Sequence, residues 1–160
     1  TSASRLFDSE GLPTSRRAIV EDGILRTWTL DLATARKLGL QSTANAARGT
    51  SAPPSPAATN IALTQGSKTR DQLLAEMGTG LLITSMIGST INPNTGDYSR
   101  GASGFWVENG EIAYPVHEVT IAGNLKNLFA GLQAIGSDVD ARGGVRVGSI
   151  WVGEFTIAGE

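Results

Sequence analysis

The chain has 160 residues with 20 glycines, one histidine and no cysteine, and its 13 basic and 15 acidic residues give a net charge of −2. This length predicts one domain with a sizeable core, and the lack of cysteine excludes disulfides, cysteine-based zinc sites and thiol nucleophiles. With His117 as the one imidazole, the chain cannot by itself supply a zinc site that needs two or three histidines. The small net charge indicates neither nucleic acid nor an anionic membrane as a direct partner.

The N-terminus and the longest apolar run bear on the cellular location of the protein. The apolar run from Gly80 to Ile87 is far shorter than the roughly 18 residues of a membrane span. The first residues lack the basic and apolar regions of a secretory signal, so we expect a cytoplasmic protein without a membrane partner. Because Thr1 stands where an initiator methionine would, we expect a processed chain or a fragment of a longer protein.

The first part of the chain predicts a β-hairpin, a short helix and a long loop. Residues 16–20 and 24–30 are rich in strand-forming residues and are joined by a turn that contains Gly23. Asp31 is a suitable N-cap for a helix over Leu32–Leu38, which Gly39 would end in a left-handed conformation. Residues 41–59 lose all periodicity and contain three prolines, which predicts a long ordered loop.

The middle of the chain predicts a strand, a helix and a second strand. A strand over 60–64 precedes a helix that Thr69 would start, because Gln72 stands at the spacing of a capping box. Gly78 would end this helix. The continuous apolar run over 80–88 predicts a buried strand.

The remainder predicts mainly strands. Residues 92–97 are typical of a turn, and the segments 100–108 and 111–116 flank Asn109-Gly110, a strong signal for a β-hairpin. Asn124 would cap a helix whose core-facing stripe ends at Gly136. Two last strands are predicted over 145–147 and 150–157. The fold class is therefore α+β, a β-rich domain with a mixed, mostly antiparallel sheet and about three short helices.

Two hydrolytic mechanisms were weighed against the residues. His117-Glu118 resembles the start of a zinc-protease motif, but no second histidine completes it, so His117 is interpreted as a half-exposed strand residue. Ser103, His117 and Asp97 supply the residue types of a serine hydrolase. Ser103 lies within a predicted hairpin strand and not at a strand-to-helix elbow, which disfavours that mechanism.

The segment from Asn92 to Leu125 is the candidate functional region. It combines a turn, a hairpin, the glycines Gly101 and Gly104 and little charge. Small residues let a second backbone approach closely, and an extended strand beside them could accept a peptide by strand addition. The alternative is that these glycines only mark bulges and tight bends.

The same region carries a resemblance to a known family. The run Asn92-Pro-Asn-Thr-Gly-Asp-Tyr-Ser-Arg-Gly-Ala-Ser-Gly-Phe-Trp-Val-Glu-Asn-Gly-Glu-Ile-Ala-Tyr-Pro-Val116 resembles the signature of the TldD/PmbA family, also called modulators of DNA gyrase. Its continuation, Glu118-Val-Thr-Ile-Ala-Gly-Asn-Leu125, is similar to the PmbA (TldE) branch. Supporting matches are Phe7-Asp-Ser-Glu-Gly11 and the closing Thr156-Ile-Ala-Gly159, so the resemblance covers nearly the whole chain.

The resemblance implies a part of a longer protein. Members of the family are about three times this long, so residues 1–160 correspond to a C-terminal domain whose N-terminal region is absent. TldD and TldE subunits pair into a zinc metalloprotease that degrades unfolded or linear peptides and trims peptide precursors. The histidine motif of the TldD branch, H-E-x-x-x-H, lies upstream, and a further cysteine ligand lies near the C-terminus. Residues 137–144 contain no such cysteine, which fits the metal-free TldE branch.

These implications lead to a functional expectation. The chain would pair with a TldD-like subunit or with itself and would help to enclose a linear peptide, with no cofactor of its own because zinc would belong to the TldD-like partner. Asp97, Tyr98, Ser99 and Arg100 are the candidates for peptide or partner contact, since they follow a turn beside a glycine-rich strand. Alone, the chain would be inactive. The alternative is a non-enzymatic structural or interaction domain.

One departure from the family concerns a turn. The sequence Ser42-Thr43-Ala44-Asn45 has alanine where the family usually has glycine. The conformation of this turn is therefore open on sequence grounds.

Overall fold

The computed structural model describes residues 3–140 and 143–159, without the side chain of residue 89. The chain forms two compact units. Unit 1 comprises the described residues of 1–62 and 141–146, and unit 2 those of 63–140 and 147–160.

The described residues contain three short helices, three long strands and several strands of two or three residues. In chain order the elements are β1 (Val20–Glu21), β2 (Ile24–Leu25), α1 (Leu32–Leu38), β3 (Ala46–Ala47), β4 (Ser55–Pro56), β5 (Ile61–Ala62), α2 (Arg70–Met77), β6 (Gly80–Ile91), β7 (Asp97–Glu108), β8 (Glu111–Asn124), α3 (Leu125–Ala130), β9 (Ala134–Ile135), β10 (Val145–Arg146), β11 (Ile150–Trp151) and β12 (Thr156–Ala158). Strand pairs are antiparallel except β5 with β10, which are parallel. The α+β, β-rich fold class is confirmed.

Helix α1 of unit 1 has the predicted caps. The Oδ1 atom of Asp31 accepts a hydrogen bond of 2.6 Å from the backbone N–H of Thr34. At the other end Gly39 has φ +66°, and the N–H of Leu40 donates to the carbonyl oxygen of Ala35. Both termini are thus satisfied by local residues, as the sequence predicted.

The predicted hairpin of unit 1 forms, but its strands are much shorter than expected. Asp22 and Gly23 have φ values of +51° and +75°, the two left-handed residues of a tight turn. The paired part of the hairpin is limited to β1 and β2, and the residues of both strands are exposed. Without a packed face, a longer two-stranded ladder is not stabilised.

The proline-rich loop of unit 1 is ordered by a two-stranded pair and by Asp8. Strands β3 and β4 pair antiparallel within it. The side chain of Asp8, which is 5% exposed, accepts backbone hydrogen bonds from Glu10, Leu12 and Ala46. The Asp8 carboxylate therefore ties the start of the chain to the loop.

The alanine at the family's glycine position keeps a left-handed backbone. Ala44 has φ +52° and is 7% exposed. A left-handed alanine is strained, because its Cβ approaches the following carbonyl oxygen. The turn therefore has the conformation that glycine favours, at a cost in stability.

We expect Ala44→Gly to be nearly neutral. Relief of the left-handed strain, roughly 1–2 kcal/mol, offsets the lost methyl group and the greater entropy of glycine in the unfolded chain. Ala46→Gly is the matched control, because Ala46 is buried in extended β3 and has no such strain to relieve. Urea unfolding should show Ala46→Gly to be less stable than Ala44→Gly by at least about 1 kcal/mol. Equal losses would contradict the strain at Ala44.

Unit 2 is built on a four-stranded antiparallel sheet in the order β12-β8-β7-β6. Strands β6, β7 and β8 follow one another in sequence, whereas β12 returns from the end of the chain to pair with β8. Strand β7 is therefore interior, and β6 is an edge strand within the described part of the sheet.

The connection between the long strands β7 and β8 is tight. Asn109 and Gly110 have φ values of +53° and +82°, which confirms the predicted two-residue hairpin between β7 and β8. The pairing of β7 with β8 shifts register between Ala102 and Gly104, opposite Glu118, which has φ +57°. This bulge bends β8 next to His117, which lies in that strand and is exposed.

Buried residues of the sheet lie in a cluster on one face and at the hairpin end. Ala102, Val119 and Ile121 form a buried cluster on one face, with Phe155 packed against it. At the hairpin end, Val107 is fully buried.

Helix α2 has the predicted capping box. Thr69 Oγ1 accepts from the N–H of Gln72, and Gln72 Oε1 accepts from the N–H of Thr69. Leu73 and Leu74 are buried, and the N–H of Gly110 donates to the carbonyl oxygen of Gly78, which joins the hairpin to the end of the helix.

Three predictions for unit 2 were wrong in part. Strand β6 exists but is not buried, because it is an edge strand in which Ile87 is 75% exposed. Helix α3 ends at Gly131 and not at Gly136, since the next residues pair as β9 with β11. Its stripe does not face a core, and Phe129 is 67% exposed. The predicted strand over 150–157 is two strands that pair with different partners, β9 and β8.

None of the helices within residues 3–140 and 143–159 combines the length and the apolar character needed to cross a bilayer.

Candidate peptide- and partner-contact site

The candidate segment begins in a turn held by asparagine side chains. Asn92 Oδ1 accepts from the backbone N–H groups of Asn94 and Thr95, as in an Asx-turn. Asn124, at the end of β8, donates from Nδ2 to the carbonyl oxygen of Thr95 and caps α3 through its Oδ1. The turn before β7 is thus fastened to the strand on the other side of β7.

Asp97 belongs to this turn network. Its Oδ2 accepts a hydrogen bond of 2.6 Å from Thr95 Oγ1, and its Oδ1 accepts one of 3.1 Å from Asn124 Nδ2. The hydrogen bond from Thr95, and after it the one from Asn124, lower the pKa of Asp97 below its ordinary value. The nearby charge of Lys126 acts in the same direction, and partial desolvation opposes it. The carboxylate is therefore ionised near neutral pH and acts as an acceptor that stabilises the turn.

The four predicted contact residues do not share one surface. Alternate residues of a strand point to opposite faces, so Tyr98 and Arg100 lie on the face of the buried cluster. Asp97 and Ser99 lie on the opposite, exposed face. A single ligand on one face of the sheet can contact only one of these pairs.

Tyr98 has a packing role. Its ring meets that of Phe155 edge to face, with centroids 6.3 Å apart, and its hydroxyl lies 3.1 Å from the sulfur of Met86. Ser99 is exposed and its side chain forms no hydrogen bond with the described residues. Of the two residues on the buried face, Arg100 is the one with free hydrogen-bonding groups.

Strand addition at β7 is closed by its neighbours. The backbone of β7 pairs with β6 on one side and with β8 on the other. The prediction that a peptide could pair beside these glycines therefore needs a correction: in the described sheet, the long open edge is that of β6.

The serine-hydrolase alternative fails on geometry. Asp97 and Ser103 lie on the same strand, six residues and therefore roughly 20 Å apart. Asp97 is bonded to Thr95 and Asn124, and His117 forms no hydrogen bond with Ser103 within the described residues. The three residues do not form a catalytic triad.

Among the residues that the structure describes, no group of three or more His, Cys, Asp or Glu side chains is placed to hold a metal ion. Two open surface depressions lie in unit 1, and the residues that line one of them include Arg5, Phe7, Asp8 and Arg48. None of the predicted contact residues lines them.

Sequence reasoning missed the structural roles of Asp8 and Asp138. Asp138 accepts hydrogen bonds from the backbone N–H and the hydroxyl of Ser149. Both aspartates lie in loops, where aspartate side chains often accept from nearby backbone N–H groups. The bonds from Ala46 to Asp8 and from Ser149 to Asp138 join residues that are distant in sequence, so the sequence does not show them.

Comparison with known proteins shows the family of this chain. Residues 1–159 match the family described as PmbA/TldA metallopeptidase C-terminal domain. The chain is 47% identical to the metalloprotease PmbA of Escherichia coli O157:H7 over 158 residues, which are 99% of this chain and 33% of that protein.

Two solved structures are similar. A candidate modulator of DNA gyrase from Thermotoga maritima has 37% identity and a TM-score of 0.84, over 98% of this chain and 36% of that one. TldE from Thermococcus kodakarensis, at 23% identity, shares the fold with a TM-score of 0.87, over 97% of this chain and 36% of that one.

The chain thus has the fold and sequence of a metallopeptidase-family C-terminal domain. It belongs to the PmbA/TldD family and spans about a third of the length of the curated relatives that it matches.

Proposed function

We propose that this chain is the C-terminal domain of a PmbA/TldE-like subunit, which binds no catalytic metal and pairs with a TldD-like subunit to enclose a linear peptide. The match of residues 1–159 to a metallopeptidase C-terminal domain carries the proposal. Relatives named metalloprotease PmbA support the peptidase association, and the cytoplasm is the compartment we propose.

The donor set supports a role without a metal of its own. The chain has one histidine and no cysteine, the two residue types that dominate zinc sites in proteins. Three of the described carboxylates already have other partners: Asp8 and Asp31 accept from backbone N–H groups, and Asp97 stabilises a turn. The zinc of the assembly would therefore be held by the TldD-like subunit.

Exposed apolar side chains in unit 1 support a role in assembly. The hairpin residues Val20 and Leu25 share one face, Ile24 lies on the other, and each is more than half exposed. Trp28, just beyond the hairpin, is 60% exposed. Several large apolar side chains so close together are typical of a surface that another polypeptide covers.

The open edge of β6 supports peptide contact. An extended peptide can add a strand to an exposed sheet edge and gain main-chain hydrogen bonds whatever its sequence. A peptidase that acts on linear peptides needs this kind of recognition. A folded protein cannot be recognised in this way, because its own strands are buried.

The test is to mix this chain with a TldD-like subunit. We expect no peptide cleavage and no stoichiometric zinc with this chain alone, and co-purification and cleavage of an unstructured peptide with the mixture. Co-purification without any gain in cleavage would instead indicate an interaction domain. Tight stoichiometric zinc bound by this chain alone, measured by metal analysis, would contradict the metal-free role.

A further inference from the structure

Arg100 is a cation on an otherwise apolar face of the unit 2 sheet. Along β7 its neighbours on this face are Tyr98 and Ala102, and its partner across the sheet on β8 is Ile121. Ala102 and Ile121 are buried, and Tyr98 packs against the same cluster. An arginine in this place carries a desolvation cost that a hydrophobic residue would avoid.

Within the described residues, the guanidinium group makes one long hydrogen bond and no ion pair, which offset little of that cost. Its Nε atom is buried and has no hydrogen-bond acceptor. Its Nη2 atom lies 3.5 Å from the carbonyl oxygen of Met86, at the outer limit of a hydrogen bond. The ion pairs of the described residues involve Arg26, Lys68 and Arg70, and none of them involves Arg100.

The guanidinium group also lies beside the open edge of the sheet. Met86 belongs to β6, the edge strand, and its side chain is nearly half exposed. A strand added to β6 would lie about 4.8 Å further out, and every second side chain of that strand would stand on the face of Arg100. A carboxylate there can reach the guanidinium group, whose planar fork binds both oxygens of a carboxylate.

We propose that Arg100 binds the carboxylate of an acidic residue in an extended peptide that pairs with β6. The inference rests on the proposed function in so far as the ligand is a peptide, and it adds a preference for acidic residues. Arg100 acts as a specificity-determining residue, since the bond needs only a carboxylate at one position and the added strand accepts any sequence elsewhere.

Binding is measured with two short blocked peptides, identical except for one central residue that is either Glu or Gln. We expect this chain to bind the Glu peptide at least about tenfold more tightly, as charge-assisted hydrogen bonds allow. Arg100→Met should abolish the difference, and Arg100→Lys should restore only part of it because lysine has no fork. Arg70→Met is the matched control, since it removes one exposed positive charge from the same unit.

Stability separates a binding role from a structural one. Arg100→Met removes an unpaired, partly buried charge, so the thermal midpoint should stay unchanged or rise. If Arg100 had a structural role, its replacement would lower the thermal midpoint. A clear fall in the midpoint of Arg100→Met, or a preference for the Glu peptide that Arg100→Met retains, would overturn the proposal.

Five further outcomes are decisive. Equal binding of the Glu and Gln peptides overturns the proposal, and so does an absence of binding by either peptide. If Arg100→Met weakens only the association with a TldD-like subunit, the carboxylate comes from the partner and the proposal is wrong as stated. Cleavage by the mixture without a Glu preference would refute this inference and leave the proposed function intact. A Glu preference in binding without cleavage by the mixture would support this inference and contradict the proposed function.

Discussion

Gly104→Ala is expected to lower the free energy of unfolding of unit 2 by about 3 kcal/mol. A Cβ atom at Gly104 would lie 1.9 Å from the carbonyl oxygen of Leu82 and 3.0 Å from the Cα of Ile83. Both are backbone atoms of the neighbouring strand β6, so no side-chain rotation can relieve the collision. The strand itself must move away from β7.

Gly101→Ala is the matched control on the same strand. A Cβ atom there would meet Ile87 at 3.7 Å, an ordinary van der Waals distance. Alanine also restricts the unfolded chain more than glycine does, so this variant should be neutral or more stable by about 0.5 kcal/mol. Urea unfolding of both variants, with hydrogen exchange of the β6 amides, measures the contrast. Similar stabilities for the two variants would show that β6 does not approach Gly104 so closely.

The second large effect is expected at Asp8. Its Oδ1 accepts from the N–H groups of Glu10 and Leu12, and its Oδ2 accepts from that of the buried Ala46. In Asp8→Asn the amide oxygen can replace only one of these acceptors, and its NH₂ group would face a backbone donor. We expect a loss of roughly 2–3 kcal/mol in the stability of unit 1, since a buried N–H is left unsatisfied.

Asp138→Asn provides the contrast for this prediction. The Oδ2 of Asp138 accepts from the hydroxyl of Ser149, which can turn and accept a bond from an amide instead. Asp138→Asn should therefore lower the free energy of unfolding by less than about 1 kcal/mol. Hydrogen exchange resolved for each unit separates the two variants, and a larger loss for Asp138→Asn than for Asp8→Asn would contradict the assignment of acceptors.

The carboxylate of Asp8 should also make the stability of unit 1 depend on pH in the acid range. Burial alone would raise the pKa of Asp8, but the bonds from Ala46, Leu12 and Glu10 and the charge of Arg5 bring it below the ordinary value of 3.8. A folded pKa below the unfolded one stabilises the protein above the unfolded pKa, and this contribution is lost as pH falls through the folded value. Unit 1 of the wild type should therefore lose more stability below pH 4 than unit 1 of Asp8→Asn.

Local signals in the sequence predicted local structure well. The capping residues Asp31 and Thr69 and the turn Asn109-Gly110 use hydrogen bonds and backbone angles set within a few residues, and all three are confirmed. The apolar run of β6 was assigned to the core because periodicity does not tell which strand of a sheet is at its edge. The apolar stripe after Asn124 predicts a longer helix, because the pairing of β9 with β11 that ends the helix depends on residues much later in the sequence.

The candidate site was predictable as a segment but not as a surface. The turn residues of 92–97 and the hairpin signal predicted a turn and then a strand over 100–108. The strand begins earlier, at Asp97, and alternation along β7 separates Asp97 and Ser99 from Tyr98 and Arg100. The unpaired guanidinium of Arg100 could not be foreseen, because its isolation depends on Met86 and Ile121 from two other strands.

The strand order of unit 2 also has a consequence for the kinetics of folding. Strands β6, β7 and β8 are sequence neighbours joined by short turns, so their pairing closes only short loops, whereas β12 must return from the C-terminal end to reach β8. Short-range pairing is fast because little chain entropy is lost. The three-stranded meander should therefore form before β12 docks, and the side of β8 that β12 covers stays open to other strands until the end of the chain has been made.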